Sequence, residues 1–492
     1  MQRSGEVLMP NCQRGSALEP LVVLARSPRA DYGDLAEPVP APELPSGHVK
    51  SVAGATVREL LRIWGLDPEH FDSGDWNPLG QLIKPGSRVV LKPNWVLHYN
   101  KSGHGMECLV THTTLIEAVL EYVALTRPSR IVVGDAPVQG CDFSLLRAVC
   151  GLDEMEGRFS ARGLNVSVAD FRRTVLLGEH IGAKRVDDRG DVANYVRFDL
   201  QEESLLEPLA RDAEKFRVTM YNPDLMRRTH GPRRHQYLIA REIMQADIVI
   251  NLPKLKCHKK ACITGALKNL VGINGNKEYL PHHRKGGNAN GGDCYAGNSP
   301  FKGWAEALLD AANRRKSKVF QRWLGGSAEL LVRLAQAFGS DDNMEGSWFG
   351  NDTIWRTCLD LLRLLRYGRE DGNLAHTPQR LLVSITDAIV AGEGEGPMAP
   401  LPVPASFLTG AVNPAAAEWV HARLMGFDPG KIPLVRQAFS GFPYPLAAFD
   451  PSAVRVRTIA KEGSASEIQP LSGRAFLPAK GWKGHCELGR QA

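Results

Sequence analysis

The densest chemistry in the chain lies in one run, Asn251-Leu252-Pro253-Lys254-Leu255-Lys256-Cys257-His258-Lys259-Lys260, followed by Thr264-Gly265-Ala266-Leu267-Lys268-Asn269-Leu270-Val271-Gly272. Lys254, Lys256 and His258 alternate, so in an extended segment they project to one side. The pattern predicts a helix beginning near Thr264 and carrying Lys268, and a helix N-terminus with lysines beside it is a ready anion site. A carboxylate or phosphate held by Lys254, Lys256 and Lys268 would have His258 at hand as acid or base, because an imidazole titrates near neutral pH. The plainer alternative is a basic surface loop.

Other chemistry-bearing residues sit at comparable places. Asp135 follows Val133 by one glycine, and Asp387 sits in the same way after Ile385. Each carboxylate can bind a cation, orient a lysine or merely form a turn. Lys92 and Asn94 leave an earlier apolar run, and Lys92 can pair with Asp135 if the two runs are neighbours. The paired His282 and His283, with Asp293 downstream, suit a metal site or a glycine-rich lid. Asp135, Asp387, His282 and His283 are therefore the candidate metal ligands. The strongest local positive charge is Arg227-Arg228-Thr229-His230-Gly231-Pro232-Arg233-Arg234-His235. Arginine suits bidentate capture of a carboxylate or phosphate, so Arg233 and Arg234 join Lys92, Asn94, Lys256 and Asn269 as candidate substrate contacts. His98, His104 and His112 are isolated and read as structural. Gly392-Glu393-Gly394-Glu395-Gly396-Pro397 lacks the lysine and hydroxyl that close a P-loop, and its glutamates would repel phosphate. It reads as a tight loop.

The elements that must position these groups share a grammar. Arg88-Val89-Val90-Leu91, Arg130-Ile131-Val132-Val133, Asp247-Ile248-Val249-Ile250 and Leu381-Leu382-Val383-Ser384-Ile385 are continuous apolar runs that end abruptly in polar residues. Runs without alternation suit strands buried on both faces, as in a parallel sheet. Thr114-Leu115-Ile116-Glu117 has capping-box spacing and opens a helical pattern to about Leu125. The fold class that follows is α/β, largely parallel βαβ units, in which ligands bind beyond the carboxyl ends of the strands. Two amphipathic helices, over about 304–324 and 328–338, read as an inserted helical pair. The first is rich in Arg314, Arg315, Lys316, Lys318 and Arg322, a basic face suited either to solvent or to docking on a membrane or partner.

The expected divisions are a flexible tail at 1–20, a first α/β part at 21–300, the helical insert at 301–345, a second α/β part at 346–440 and a peripheral segment at 441–492. A length of 492 residues suits more than one unit. The net charge of +6 is too small to imply nucleic-acid binding. The nine cysteines form no CxxC or ferredoxin-like run, so reduced thiols, a cytoplasmic location and no iron–sulfur cluster are expected. No apolar run reaches the roughly 18–20 residues of a membrane span, and no secretory signal is visible.

Taken together these segments resemble the family called domain of unknown function 362. The resemblance rests on Val90-Leu91-Lys92-Pro93-Asn94, Gly134-Asp135, the run from Asp247 through Lys256 with His258, the block Thr264 through Gly272, Asp387-Ala388-Ile389 with Gly392, Gly394 and Gly396-Pro397, and Met425-Gly426-Phe427-Asp428-Pro429. They span roughly 85–440 in the family's order. Some members carry a ferredoxin-like cysteine cluster or a twin-arginine leader. Neither is seen here, and Glu418 stands where the resemblance implies an aspartate. The family name implies no activity.

Four readings follow, in order. The first is an enzyme acting on an anionic metabolite, with Lys254, Lys268, His258 and Asp135 in catalytic roles and a divalent or transition metal as the open cofactor question. Next come a non-catalytic anion binder, a redox or metal protein, and a nucleic-acid binder using the arginine run. The last would show affinity that collapses with salt.

Overall fold

The computed structural model describes residues 18–177, 184–186, 192–314, 317–341, 343–470 and 473–489. The expected tail therefore lies almost wholly outside the described residues, as do Arg315 and Lys316.

One 12-stranded sheet organises the chain. Its strands are β1 (Leu21–Arg26), β2 (Arg88–Pro93), β3 (Arg130–Asp135), β4 (Val166–Asp170), β5 (Ile248–Leu252), β6 (Lys254–His258), β7 (Cys262–Thr264), β8 (Leu381–Glu395), β9 (Ala399–Val403), β10 (Phe407–Ala411), β11 (Arg455–Arg457) and β12 (Glu462–Ser464). The main path runs β12-β11-β1-β10-β8-β5-β2-β3-β4, with β6 and β9 branching from β8 and β7 from β6. Its centre is parallel: β5 pairs with both β8 and β2, then β2 with β3 and β3 with β4. The expected α/β class with a largely parallel sheet is what the chain adopts. Strands from residues 21–300 and from 346–440 share this sheet, and β11 from the C-terminal segment adds to it beside β1.

Both faces are covered, which explains the unbroken apolar runs. Val90, Val132, Val249 and Leu382 enter one core with helices α7 (Ile354–Tyr367) and α8 (Pro414–Leu424). Val89, Leu91, Ile131, Val133, Ile248, Ile250, Val383 and Ile385 enter the other, with α1 (Val52–Trp64), α2 (Thr113–Leu125), α3 (Phe143–Val149) and α4 (Leu152–Ala161). Side chains alternate between faces along each strand, so two hydrophobic layers bury the same runs.

Several local expectations change. The cap of α2 is His112 rather than Thr114, its ring nitrogen accepting from the Thr114 N–H. The segment at Thr264 is strand β7 followed by a short 3-10 turn, Lys268–Ile273, so no α-helix N-terminus stands beside Lys268. β8 does not stop at Thr386-Asp387; it runs on to Glu395 and turns back as β9, because the glycine-rich segment pairs as a hairpin. The inserted pair is α5 (Pro300–Arg314) and α6 (Lys318–Ala337). α6 runs unbroken through Gly325-Gly326, where the sequence pattern places the gap between the two helices. A helical glycine costs about 1 kcal/mol, which the packing of α6 on α5 outweighs.

Gly134 shows how tightly the strand ends are packed. A Cβ there would lie 2.3 Å from the Phe171 ring, whereas Gly157 in α4 has nothing within 4 Å. Gly134→Ala is therefore expected to destabilise by about 1–3 kcal/mol and Gly157→Ala to stabilise by about 0.4–1 kcal/mol. Urea unfolding of both variants checks the contrast; equal effects would contradict the packing described.

Candidate functional site

The carboxyl ends of β2, β3 and β5, and the middle of β8, carry a layer of buried charge. Lys92 reaches Asp135 at 2.6 Å and also donates to Pro93 O at 2.9 Å and Asn269 Oδ1 at 3.1 Å. Asp135 accepts two backbone N–H groups, from Trp95 at 2.7 Å and Ala136 at 2.9 Å. Asn269 in turn donates to Asn251 Oδ1 at 2.8 Å, and Asn251 to Ala266 O at 2.9 Å. Burial pushes the Lys92 ammonium down and the Asp135 carboxyl up, and their contact opposes both. Gly272 closes over the pair. A Cβ on it would fall 1.7 Å from Asp135 Oδ1 and 2.7 Å from Lys92 Nζ, so only glycine fits at this place in the Leu-Val-Gly block.

A second assembly lies beside it. Pro253 ends β5 and lets β6 resume along the upper half of β8, where Lys254 is the register partner of Asp387. Their side chains meet at 2.7 Å, both fully buried. Tyr32 donates its hydroxyl to Asp387 at 2.5 Å and accepts from Lys254 at 2.6 Å. The His112 backbone N–H donates to the same carboxylate at 3.1 Å, and the Tyr32 and His112 rings stack at 3.9 Å. Burial holds His112 down at about 4. Tyr32 was not legible as a partner: it lies 355 residues from Asp387, in a segment that shows only turn residues around it. A cleft of about 570 Å³, lined in part by Glu107, Thr111, His112, Glu117, Glu154 and Arg158, opens beside this assembly.

Among the described residues, Lys256 and Lys268 make no ion pair with a carboxylate. Lys256 donates to Asn94 Oδ1 and to Leu109 O at 2.6 Å, and burial drives its amine well below the ordinary lysine value. Lys268 forms no hydrogen bond or ion pair among the described residues, and burial lowers it too. His258 accepts at Nδ1 from the backbone N–H groups of Lys260 at 3.0 Å and Ala261 at 3.2 Å, which places its proton on Nε2. Burial first, then Lys268, Lys260, His282 and Lys256, pushes it far below neutral titration. The expectation of a near-neutral imidazole therefore gives way to a neutral ring with one outward N–H donor. His282 donates Nδ1–H to Leu280 O at 2.6 Å and feels Lys260, Lys268 and Lys277. Lys277 is brought down to about 7 by burial and then by Lys268. Lys256, His258, Lys260, Lys268, Lys277 and His282 thus form one zone of basic side chains, each lowered in proton affinity by burial.

Residues 200–423 match the family model described as Domain of unknown function (DUF362). That segment is similar to the DUF362 family. The DUF362 segment supplies Asn251, Lys254, Lys256, His258, Lys268, Asn269 and Asp387; Tyr32, Lys92, Asn94 and Asp135 come from outside it. The chain is 24% identical over 358 residues to the Thylakoid-associated protein sll1697 of Synechocystis sp. (strain ATCC 27184 / PCC 6803 / Kazusa), covering 72% of this chain and 68% of that protein. It is also similar to a crystal structure of a protein from Thermotoga maritima, at 9% identity and a TM-score of 0.27, covering 67% of this chain and 52% of that one. A score that low supports no inference. The chain spans about half the length of that structure.

The other sequence candidates are dispersed around the DUF362 site. Asn94 and Asn269 are in it, holding Lys256 and Lys92. Arg233 pairs with Glu202 at 2.6 Å on the surface, and Arg234 donates to Arg227 O at 2.9 Å. Neither reaches the lysines, because the hairpin that carries them faces solvent. Asp135 and Asp387 belong to separate ion pairs. His283 is buried on a two-residue strand, His283–Arg284, paired with Phe216–Arg217. Among the described residues no group of three or more His, Cys, Asp or Glu side chains is placed to hold a metal ion. Lys277 and Lys260 were missed as site residues. Their signal was only that both follow or belong to the Lys/His-rich stretches.

Breaking either buried pair leaves an uncompensated charge, so Lys254→Met and Asp387→Asn are each expected to cost about 3–5 kcal/mol. A double-mutant cycle by urea unfolding checks that the double variant loses less than the two singles combined. Lys277 gives a pH test. Its folded value, about 7, lies below the ordinary 10.5. The unfolded chain then binds more protons between those values, so ligand-free stability rises with pH across that window. Lys277→Met should show a smaller rise; an identical rise would place Lys277 outside the zone.

Proposed function

We propose that this chain is an enzyme acting on a carboxylated or phosphorylated small molecule bound at the carboxyl ends of the sheet strands. One observation carries the reading. Lys92, Lys254, Lys256 and Lys268 are all buried there, yet among the described residues only Asp135 and Asp387 pair with them. An unpaired buried ammonium costs several kcal/mol unless it loses its proton or gains an anion. Lys268 and Lys277 would take the anion, with Lys256 and Lys260 adding charge. His258 would donate from Nε2 to an oxygen on which negative charge develops, as a neutral imidazole can. The two ion pairs act as positioning groups: Lys92–Asp135 holds Asn269 and the turn that bears Lys268, and Lys254–Asp387 fixes β6 against β8. We place this activity in the cytoplasm, a setting supported by the eight cysteines of the described residues, all of them free.

The second reading, a non-catalytic anion carrier or sensor, is favoured by two features of His258: its low titration leaves no imidazolium to act as acid at neutral pH, and its Nδ1 lone pair is already taken by the Lys260 and Ala261 N–H groups.

Phosphate, pyrophosphate and citrate form the first panel. A ligand at one hundred times its Kd stabilises the folded state by about 2.7 kcal/mol, which thermal unfolding resolves. Lys268→Met should lose that stabilisation. Binding should also weaken from pH 7 to 9, because the anion must recruit a proton to Lys277. Absence of any anion-induced shift in the unsubstituted chain would sink both readings. His258→Gln separates them: retained stabilisation with lost turnover of the substrate found supports the enzyme, and retained stabilisation in a chain without turnover supports the carrier.

A further inference from the structure

Helix α6 has two apolar faces, and the fold uses one. Leu324, Ala328 and Ala335 are buried where α6 packs on α5. Val319, Trp323, Leu330 and Leu334 fall on a different face, separated by four, seven and four residues, a spacing that stacks them in one stripe. All four are exposed, Trp323 to 65% and Val319 to 78%. Phe320, Phe338 and Trp304 of α5 extend the exposed apolar surface, at 48%, 75% and 58%. Scattered apolar residues on a surface are ordinary, but an apolar stripe along one helix face, with Phe320 beside Trp323 at one end and Trp304 and Phe338 both against Phe301 at the other, marks a contact site.

The chemistry of its margin identifies the partner. Along α6 and the end of α5, Arg314, Arg322 and Arg333 stand against the single acidic Glu329 among the residues described. Arg333 and Glu329 make an exposed ion pair of 2.7 Å, and Arg314 pairs with Asp224 at 3.1 Å. Arg322 has no acidic partner among the described residues and lies at the edge of the stripe, one residue from Trp323. An apolar, tryptophan-bearing stripe with a basic margin is the pattern of a helix that lies in a membrane interface. A second copy of the chain would bring the same excess of positive charge against itself in a two-fold contact. Among the described residues no helix is long and apolar enough to cross a membrane.

We propose that the outer face of α6 docks the protein on an anionic lipid surface, with Trp323, Leu330 and Leu334 entering the interface and Arg322 meeting headgroups. The inner face of the hairpin is anchored by polar contacts: Asp310 holds Arg217 at 2.9 Å and Lys285 at 2.8 Å, and Glu306 accepts the Gly286 N–H at 3.0 Å. Docking therefore leaves the anchoring of α5 intact.

The full chain is sedimented with vesicles of phosphatidylcholine alone or mixed with phosphatidylglycerol. It is expected to pellet with the mixed vesicles, less so at high salt, and to stay in the supernatant with phosphatidylcholine. The double variant Trp323→Glu/Leu330→Glu should lower partitioning about tenfold without shifting the thermal midpoint, since both side chains face solvent. Arg322→Glu should weaken binding and flatten its salt dependence. No pelleting with anionic vesicles, or equal pelleting of the double variant, overturns the proposal. So does a dimer seen by light scattering that the double variant abolishes, which would assign the face to self-association.

Discussion

Positive charge buried at the carboxyl ends of a parallel sheet governs this structure. Lys92, Lys254 and Lys256 have no exposed surface, and Lys268 has little. Ammonium groups in such a place need acceptors, and the surrounding chain is arranged to provide them. Asp135 is fixed by two backbone N–H groups before it meets Lys92. Asp387 is fixed by Tyr32 and by the His112 N–H before it meets Lys254. The asparagines at 94, 251 and 269 spread the remaining donors over side-chain and carbonyl oxygens. Gly272 is bare because the first ion pair occupies the space a methyl group would take.

These acceptors do not cover all the charge. Lys256 is left with neutral oxygens and Lys268 with none among the described residues, while Lys260, Lys277 and His282 arrive from neighbouring loops. Burial first, and then like charges nearby, lower the affinity for protons, as seen at His258 and Lys277. Under the proposed function, this is the zone an anion would meet. The loop that brings His282 is itself tied to the hairpin, through Glu306 to Gly286 and Asp310 to Lys285, so the inner site and the outer amphipathic surface share one scaffold.

Much of this was legible from residue types. The four apolar runs without alternation identified a sheet covered on both faces, since a solvent-exposed face would have required polar residues at every second position. Asp135 and Lys92 at the ends of two such runs were enough to suggest their pairing. The helical pair was visible from its periodicity. What misled was local: Thr264 through Gly272 carries a helical spacing, yet Asn251 and Asn269 draw it into a strand and a tight turn over the sheet edge. The basic run at 227–235 looked suited to an anion, but its hairpin turns Arg233 and Arg234 to solvent.

The sequence by itself determined the class of fold and the chemical character of the site, because periodicity and residue type report burial and charge directly. It could not assign partners. Lys254, Lys256 and Lys268 are equivalent as letters; one is neutralised by Asp387, one rests on neutral oxygens and one stays unpaired. That division is made by Tyr32, Asn94, Leu109 and Asp387, which lie far apart in the chain and meet only when the sheet closes. Electrostatic energy depends on distance through space, and only the tertiary structure fixes those distances.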